Sequence, residues 1–164
     1  MSDMCSAKPD KNHEWLKKFV GQWEMESECV MGPDQPPMKG TAKETVRMVG
    51  DLWMVGESTM SMPGAGEGQA ILTLGYDPNK KKFVGSWIGS MMTHLFVYEG
   101  DLDEATGTLP LHCTGPDFAD PTKLGNYKDV YRLSPSGERS LTSFMQTPDG
   151  KWVQFMTAKY KRVR

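Results

Sequence analysis

The sequence lacks the features that mark several specialised classes of protein. It has no stretch approaching the roughly 18 apolar residues of a transmembrane helix, and residues 1–12 are polar, without the apolar core of a signal peptide. Its 19 basic and 21 acidic residues give a net charge of −2, which is too small to attract nucleic acid or an anionic membrane surface. We therefore expect a cytoplasmic protein with no nucleic-acid partner and no membrane insertion.

Residues with strong chemistry are few, with three cysteines and three histidines. Cys5, Cys29 and Cys113 are odd in number and have no metal-site spacing, so we expect reduced thiols, with Cys29 and Cys113 buried. The sequence has no Gly-x-Ser-x-Gly, Gly-x-x-x-x-Gly-Lys-Ser/Thr or His-Glu-x-x-His motif, which are signatures of hydrolases, nucleotide-binding proteins and zinc proteases. We assign no catalytic residue and predict no metal and no cofactor.

Glycine, proline and methionine are abundant, with 17, 11 and 13 residues. Glycine and proline separate short elements, while methionine fills irregular cores or lines adaptable binding surfaces. A chain of 164 residues suits one domain. We place that domain at residues 11–164, after a flexible N-terminus at residues 1–10.

The hydrophobic pattern predicts one helix followed by about ten strands. Asp10 can cap a helix over residues 11–20, which Gly21 ends. In the first strand, three glutamates occupy one face, and the inner face comprises Trp23, Met25, Ser27, Cys29 and Met31. Short segments with turns between them follow, including a glycine-rich loop at residues 63–68, and Pro110 suggests an edge strand or a bulge. This pattern is typical of an antiparallel all-β sandwich or a closed barrel.

Several motifs carry a more specific resemblance. They are His13-x-x-Leu16-x-x-Phe19-Val20-Gly21-Gln22-Trp23, Gly75-Tyr76-Asp77, Phe83-Val84-Gly85-Ser86-Trp87, Glu99-Gly100-x-Leu102-Asp103 and Tyr160-Lys161-Arg162. Together they resemble a bacterial calycin-like (lipocalin-like) family known only as a domain of unknown function (DUF1579-type), from about residue 13 to residue 164. The resemblance implies an antiparallel, roughly ten-stranded closed barrel with one short N-terminal helix, and it implies no activity.

The same resemblance implies how one end of the barrel closes. In lipocalins the tryptophan of the Gly-x-Trp motif closes the barrel floor, and an arginine from near the end of the barrel packs across it. Trp23 and Arg162 match these positions, with Arg164 as second choice. Haem-binding relatives of this fold use a histidine late in the chain, and this sequence has none after His112, so haem is not supported.

Alternation along the later strands predicts which side chains line the interior. Tyr127, Asp129 and Tyr131, for example, are two residues apart and so share one face of their strand. Tyrosine and tryptophan give such a face an apolar wall with one polar group for orienting a ligand. The candidate lining residues are Trp87, His94, Phe96, Tyr98, Tyr131, Met145 and Gln154. A filled core without a cavity is the alternative, since a barrel of this size can do either.

The histidines and two glutamates were weighed for a role in a site. His13 is expected to cap the helix rather than contact a ligand, and His112 to face solvent. His94 shares a face with Phe96 and Tyr98, so it either contacts a ligand or forms a structural hydrogen bond. Glu44 and Glu57 are expected on the outer face; an inward carboxylate would need a partner, for which Arg47, Arg132 and His94 were the candidates.

Three functions remain open at this point. The leading hypothesis is a protein that binds a small apolar or amphipathic ligand in the barrel. The second is an enzyme with His94 as acid or base beside an inward carboxylate. The third is a homodimeric interaction protein with a filled barrel, associating through Ile88, Leu95, Val97 and Phe155.

Overall fold

The computed structural model describes residues 7–30, 32 and 34–164, and it shows a closed antiparallel barrel with one short helix. The order around the barrel follows the chain, and β1 closes it by pairing with both β2 and β10. The predicted all-β barrel is therefore confirmed. Its elements are α1 (Lys11–Lys17), β1 (Gly21–Cys29), β2 (Met38–Val49), β3 (Trp53–Met62), β4 (Gly66–Asp77), β5 (Lys82–Gly89), β6 (Phe96–Gly100), β7 (Thr108–Pro116), β8 (Leu124–Leu133), β9 (Arg139–Gln146) and β10 (Trp152–Arg162).

The helix begins as predicted and ends earlier. The Asp10 carboxylate accepts the Asn12 backbone N–H at 2.8 Å, and His13 Nδ1 accepts the Asp10 backbone N–H at 2.9 Å, so the two side chains form a capping box. The α-helix ends at Lys17, three residues before the predicted end, and the cap residue Lys18 keeps right-handed helical dihedral angles. Residues 1–6 of the predicted flexible N-terminus, with Cys5, lie outside the described residues, and so does Met31, which the alternation predicts to face inward.

The two ends of the barrel differ. In an antiparallel meander, successive loops lie at opposite ends, and α1 packs against β3 and β4 at one of them, which we call the helix end. Six side chains there are at most 1% exposed, namely Leu16, Phe19, Met54, Leu74, Phe83 and Leu109. At the other end, which we call the open end, inward side chains keep part of their surface accessible, namely Met60, Trp87, Phe96, Met145 and Met156.

Two local expectations are corrected. The glycine-rich loop is limited to residues 63–65, because Met62 pairs with Gly66 and β4 begins there. Pro110 is not on an edge strand, since it pairs with Val130 within the closed barrel. Its strand nevertheless forms the weakest seam of the barrel: β6 and β7 pair only through Glu99–His112 and Gly100–Leu111.

Candidate functional site

Trp23 and Arg162 lie together at the helix end of the barrel. The Arg162 Cζ atom is 4.2 Å from the centroid of the Trp23 ring, and its Nη1 and Nη2 atoms donate to the backbone carbonyls of Val20 at 2.7 Å and Lys18 at 2.8 Å. Gly21 has a φ of +141°, and a Cβ atom there would lie 2.6 Å from Arg162 Nη1. The Gly-x-Trp motif therefore combines a ring that closes the barrel with the space that the arginine needs.

A second arginine contacts Trp23 from within the barrel, and sequence reasoning missed it. The Arg139 Cζ atom lies 4.9 Å from the Trp23 ring centroid, 5.0 Å from that of Phe19 and 3.9 Å from that of Tyr160. Its side chain is fully buried, and its Nη1 is 2.6 Å from Oε1 of Glu44, whose side chain is 7% exposed. Glu44 therefore faces inward, against the expectation of an outer position.

This buried ion pair is close in distance but poor in hydrogen-bond geometry. Among the described residues, Glu44 Oε1 and all three guanidinium nitrogens of Arg139 lack a hydrogen bond that meets angular criteria. The 2.6 Å separation still brings the two charges into direct contact, because charge attraction depends on distance far more than on angle. Gly56 makes room for the carboxylate, since a Cβ atom there would lie 2.7 Å from Glu44 Oε2. Glu57, by contrast, is exposed and pairs with Arg47 at 3.3 Å.

A polar group occupies the middle of the interior. Asp129 Oδ1 accepts a hydrogen bond from Ser143 Oγ at 2.6 Å, and Oδ2 accepts one from the Tyr98 hydroxyl. Burial raises the pKa of Asp129, while these two hydrogen bonds oppose the shift. Burial also raises the pKa of Tyr98 well above its ordinary value. The pKa of Cys113 rises to about 12, first through burial and then through the charge of Asp129.

Several inward residues in the middle of the barrel are not fully buried. Asp129 and Tyr160 are inward, and burial is the largest cause of the raised pKa of both, yet each keeps an intermediate exposed fraction. Met25 and Ser58, which also face inward in the middle of their strands, do the same. Met25, Ser58 and Tyr160 also border grooves on the outer face of the sheet. Asp129 borders neither groove, so its partial exposure is the observation that points to space inside the barrel.

Aromatic and methionine side chains surround the open end. Trp87 and Phe96 pack edge to face with centroids 5.8 Å apart. On the opposite side, the rings of Phe118 and Phe155 lie 5.1 Å apart. Three inward methionines, Met60, Met145 and Met156, lie partly exposed between these groups. The rim is thus apolar and adaptable, and the polar group at Asp129 lies deeper.

The structure places six of the seven predicted lining residues at or beside the interior. Trp87, Phe96, Tyr98, Tyr131 and Met145 are inward, and the sixth, His94, lies just before β6 rather than within a strand. Gln154 is a correction: it is exposed and pairs with the outward Phe144. The cause is a β-bulge between Gln154 and Met156, which reverses the alternation at that point.

The histidines have structural contacts. His94 Nε2 is 2.8 Å from the backbone carbonyl oxygen of Thr114, across the weak β6–β7 seam, and the His94 ring packs against Phe96 with centroids 4.7 Å apart. His13 is buried, and its Nε2 is 3.1 Å from the carbonyl oxygen of Tyr76; its predicted capping role is confirmed. His112 is exposed, as predicted. Glu44 pairs with Arg139 and Glu57 pairs with Arg47, rather than either of them with His94.

The remaining expectations concern thiols and the outer surface. Cys113 is buried, whereas Cys29 is only partly buried. Ile88, Leu95 and Val97 are 46%, 54% and 63% exposed, as an association surface requires. Phe155, the fourth residue of that set, instead packs against Phe118 near the open end.

Among the residues that the structure describes, no helix is long and apolar enough to cross a membrane. Within the same ranges, no group of three or more His, Cys, Asp or Glu side chains converges as metal ligands would.

Comparison with known proteins supports the fold and identifies the family. Rv2717c from M. tuberculosis has a similar structure (TM-score 0.66, 12% identity, 96% of this chain and 100% of that chain covered). The S-type phycobiliprotein lyase CPES from Guillardia theta is also similar (TM-score 0.61, 14% identity, 93% of each chain covered). No curated protein matches the sequence significantly. Residues 8–162 match the family described as "Protein of unknown function (DUF1579)", and the chain therefore belongs to that family.

Proposed function

We propose that this protein binds a small apolar or amphipathic molecule inside the barrel. The molecule enters the barrel from the open end. The observation that carries the proposal is the partial exposure of Asp129, an inward residue in the middle of the barrel. Two guanidinium groups contact Trp23 at the helix end, so we place the entry at the open end.

The chemistry of the interior fits an amphipathic ligand. Methionine and aromatic side chains at the open end would contact the apolar part through flexible, polarizable surface. The Tyr98–Asp129–Ser143 group would fix the polar part, since a few buried polar groups in an apolar pocket set orientation. The similarity in fold to a phycobiliprotein lyase is compatible with ligand binding, and at 14% identity it carries nothing more specific.

A fluorescent neutral amphiphile tests the proposal. N-phenyl-1-naphthylamine, which fluoresces strongly in apolar surroundings, is titrated into the wild type, Ser27→Trp and Glu28→Trp. Ser27 is inward, partly exposed and flanked by Gly40 and Ala158, while Glu28 is on the outer face of the same strand. We expect saturable binding that Ser27→Trp weakens about tenfold or more and Glu28→Trp leaves unchanged. Absence of binding, or equal effects of the two variants, would contradict the proposal.

Association of two copies is the second candidate, and the exposure of Leu95 and Val97 favours it. Multi-angle light scattering decides this question independently of ligand binding. A mass twice that of the 18.4 kDa chain, reduced to one chain by Val97→Lys, would support a dimer, and a monomer at high concentration would exclude it. Nothing comparable favours an enzyme, because His94 hydrogen-bonds to a backbone carbonyl and neither glutamate accompanies it.

A further inference from the structure

The formal charges of the interior do not balance. Within the described strands, the charged inward side chains well inside the barrel are Glu44, Arg139 and Asp129. Glu44 and Arg139 neutralise each other at 2.6 Å. Asp129 has hydroxyl donors, but no salt bridge in the described part of the chain includes it. The ionised interior therefore has one negative charge without a counter-ion.

Such a charge is unfavourable unless something pairs with it. An uncompensated ion in a protein interior costs several kcal/mol, and burial is indeed the largest influence on Asp129. The carboxylate can accept about four hydrogen bonds, and Tyr98 and Ser143 supply two. Because Asp129 keeps accessible surface, its remaining acceptor capacity is available to a ligand in the interior.

The surroundings of Asp129 also favour a cation. The rings of Tyr98 and Tyr131 lie 6.4 Å apart beside it, and Trp87 and Phe96 lie between this level and the open end. The faces of such rings attract ammonium and guanidinium groups. The one cationic side chain among these three interior residues, Arg139, is already enclosed by Glu44 and three rings. It is therefore less accessible to an anionic ligand than Asp129 is to a cationic one.

The loops at the open end have the same sign of charge. Loop residues 30–37, 63–65, 90–95, 117–123 and 147–151 contain four acidic and two basic residues. Lys123 and Lys151 lie 3.8 Å and 3.9 Å from Asp120 and Asp149. Asp34 and Asp117 remain as an acidic excess in the loops at the open end. This excess raises the local concentration of a cationic ligand.

We propose that the ligand of this barrel is a cationic amphiphile, whose protonated nitrogen donates hydrogen bonds to Asp129 while its apolar part contacts the rim. This inference rests on the proposed binding in the interior. It adds the chemical class of the ligand and assigns Asp129 as the residue that selects it.

Displacement of N-phenyl-1-naphthylamine by three ligands of equal chain length tests the inference. Decylammonium, 1-decanol and decanoate are compared on the wild type, Asp129→Asn and the outer-face control Glu99→Gln, with near-ultraviolet circular dichroism to verify folding. On the wild type and Glu99→Gln, we expect decylammonium to compete about tenfold or more better than decanoate. In Asp129→Asn, that preference should fall to about threefold or less, with each competition referred to the dye affinity measured for the same variant.

The outcomes separate the two proposals. If the dye binds inside the barrel but decanoate competes as well as decylammonium, or if Asp129→Asn retains the preference, interior binding stands and the cationic class is overturned. If no alkyl ligand displaces an interior dye, the class is overturned as well. If the dye does not bind the wild type, interior binding itself fails.

Discussion

Replacing Arg139 by methionine should destabilise the protein strongly. The substitution keeps an unbranched side chain of moderate length and removes the guanidinium, which is fully buried and contacts Glu44 at 2.6 Å. The Glu44 carboxylate would then be buried without a counter-ion. Breaking a buried pair in this way costs about 3–5 kcal/mol. For a domain of this size, each kcal/mol lowers Tm by about 2–4 °C, so we expect Tm to fall by about 10 °C.

A double-mutant cycle separates the charge effect from lost packing. Arg139 also contacts the rings of Phe19, Trp23 and Tyr160, and those contacts are lost in any Arg139 variant. Arg139→Met, Glu44→Leu and the double variant are compared by urea unfolding. Because the double variant contains no unpaired charge, it should recover much of the loss of the single variants. Arg132→Met, at an exposed position of β8, serves as the control and should change stability by about 0.5 kcal/mol or less.

The reasoning fails if Arg139→Met costs less than about 1 kcal/mol, because the guanidinium would then be solvated rather than buried. It also fails if the double variant is as unstable as the two single losses added together. That result would mean that the two side chains do not interact, whatever their separation.

Three further predictions follow from the interior and the seam. Because the pKa of Asp129 is raised in the folded protein, the folded state binds this proton more tightly than the unfolded state does. The stability of the wild type relative to Asp129→Asn should therefore fall as pH rises from about 4 through that raised pKa. Urea unfolding midpoints at a series of pH values measure this difference, and a difference independent of pH would contradict the prediction. Cys113, with its pKa raised to about 12, should resist iodoacetamide at pH 8 in the native protein and react after unfolding, as peptide mass spectrometry shows; rapid native labelling would refute the burial. His94→Ala should lower the free energy of unfolding by about 1 kcal/mol, because the hydrogen bond to the Thr114 carbonyl is lost. His94→Gln retains a donor and should lower it less. Equal losses in the two variants would contradict a stabilising hydrogen bond across the β6–β7 seam.

Much of the fold follows from local pattern. The three glutamates of the first strand alternate with apolar residues and so define its two faces. The turns and strand number were also readable, because glycine, proline, asparagine and aspartate occur where the chain reverses. The closure at Trp23 and Arg162 was indicated by family resemblance alone, since no local rule links residues so distant in sequence.

The interior charges were harder to predict, although the signal was present. Arg139 has the same parity as Met145, which was assigned inward, so carrying the alternation back along β9 would place the arginine inside. A charged residue is normally assigned to the surface, and only the fold brings Glu44 to it. Asp129 likewise lies two residues before Tyr131 in β8, so the alternation places both on the inner face. The bulge that turns Gln154 outward leaves no mark in the sequence, because it depends on pairing with β9.

The accessible interior is the central claim, and the methionines provide the direct measurement. In protein labelled with ¹³C at the methionine methyl groups, N-phenyl-1-naphthylamine is titrated and each methyl signal is followed by NMR. Bound inside the barrel, the dye should shift the signals of the inward Met25, Met60, Met145 and Met156 while leaving that of Met92, exposed in the connection between β5 and β6, in place. Unchanged inward methionines, or a shift confined to Met92, would show that the barrel is filled and that this account of its function is wrong.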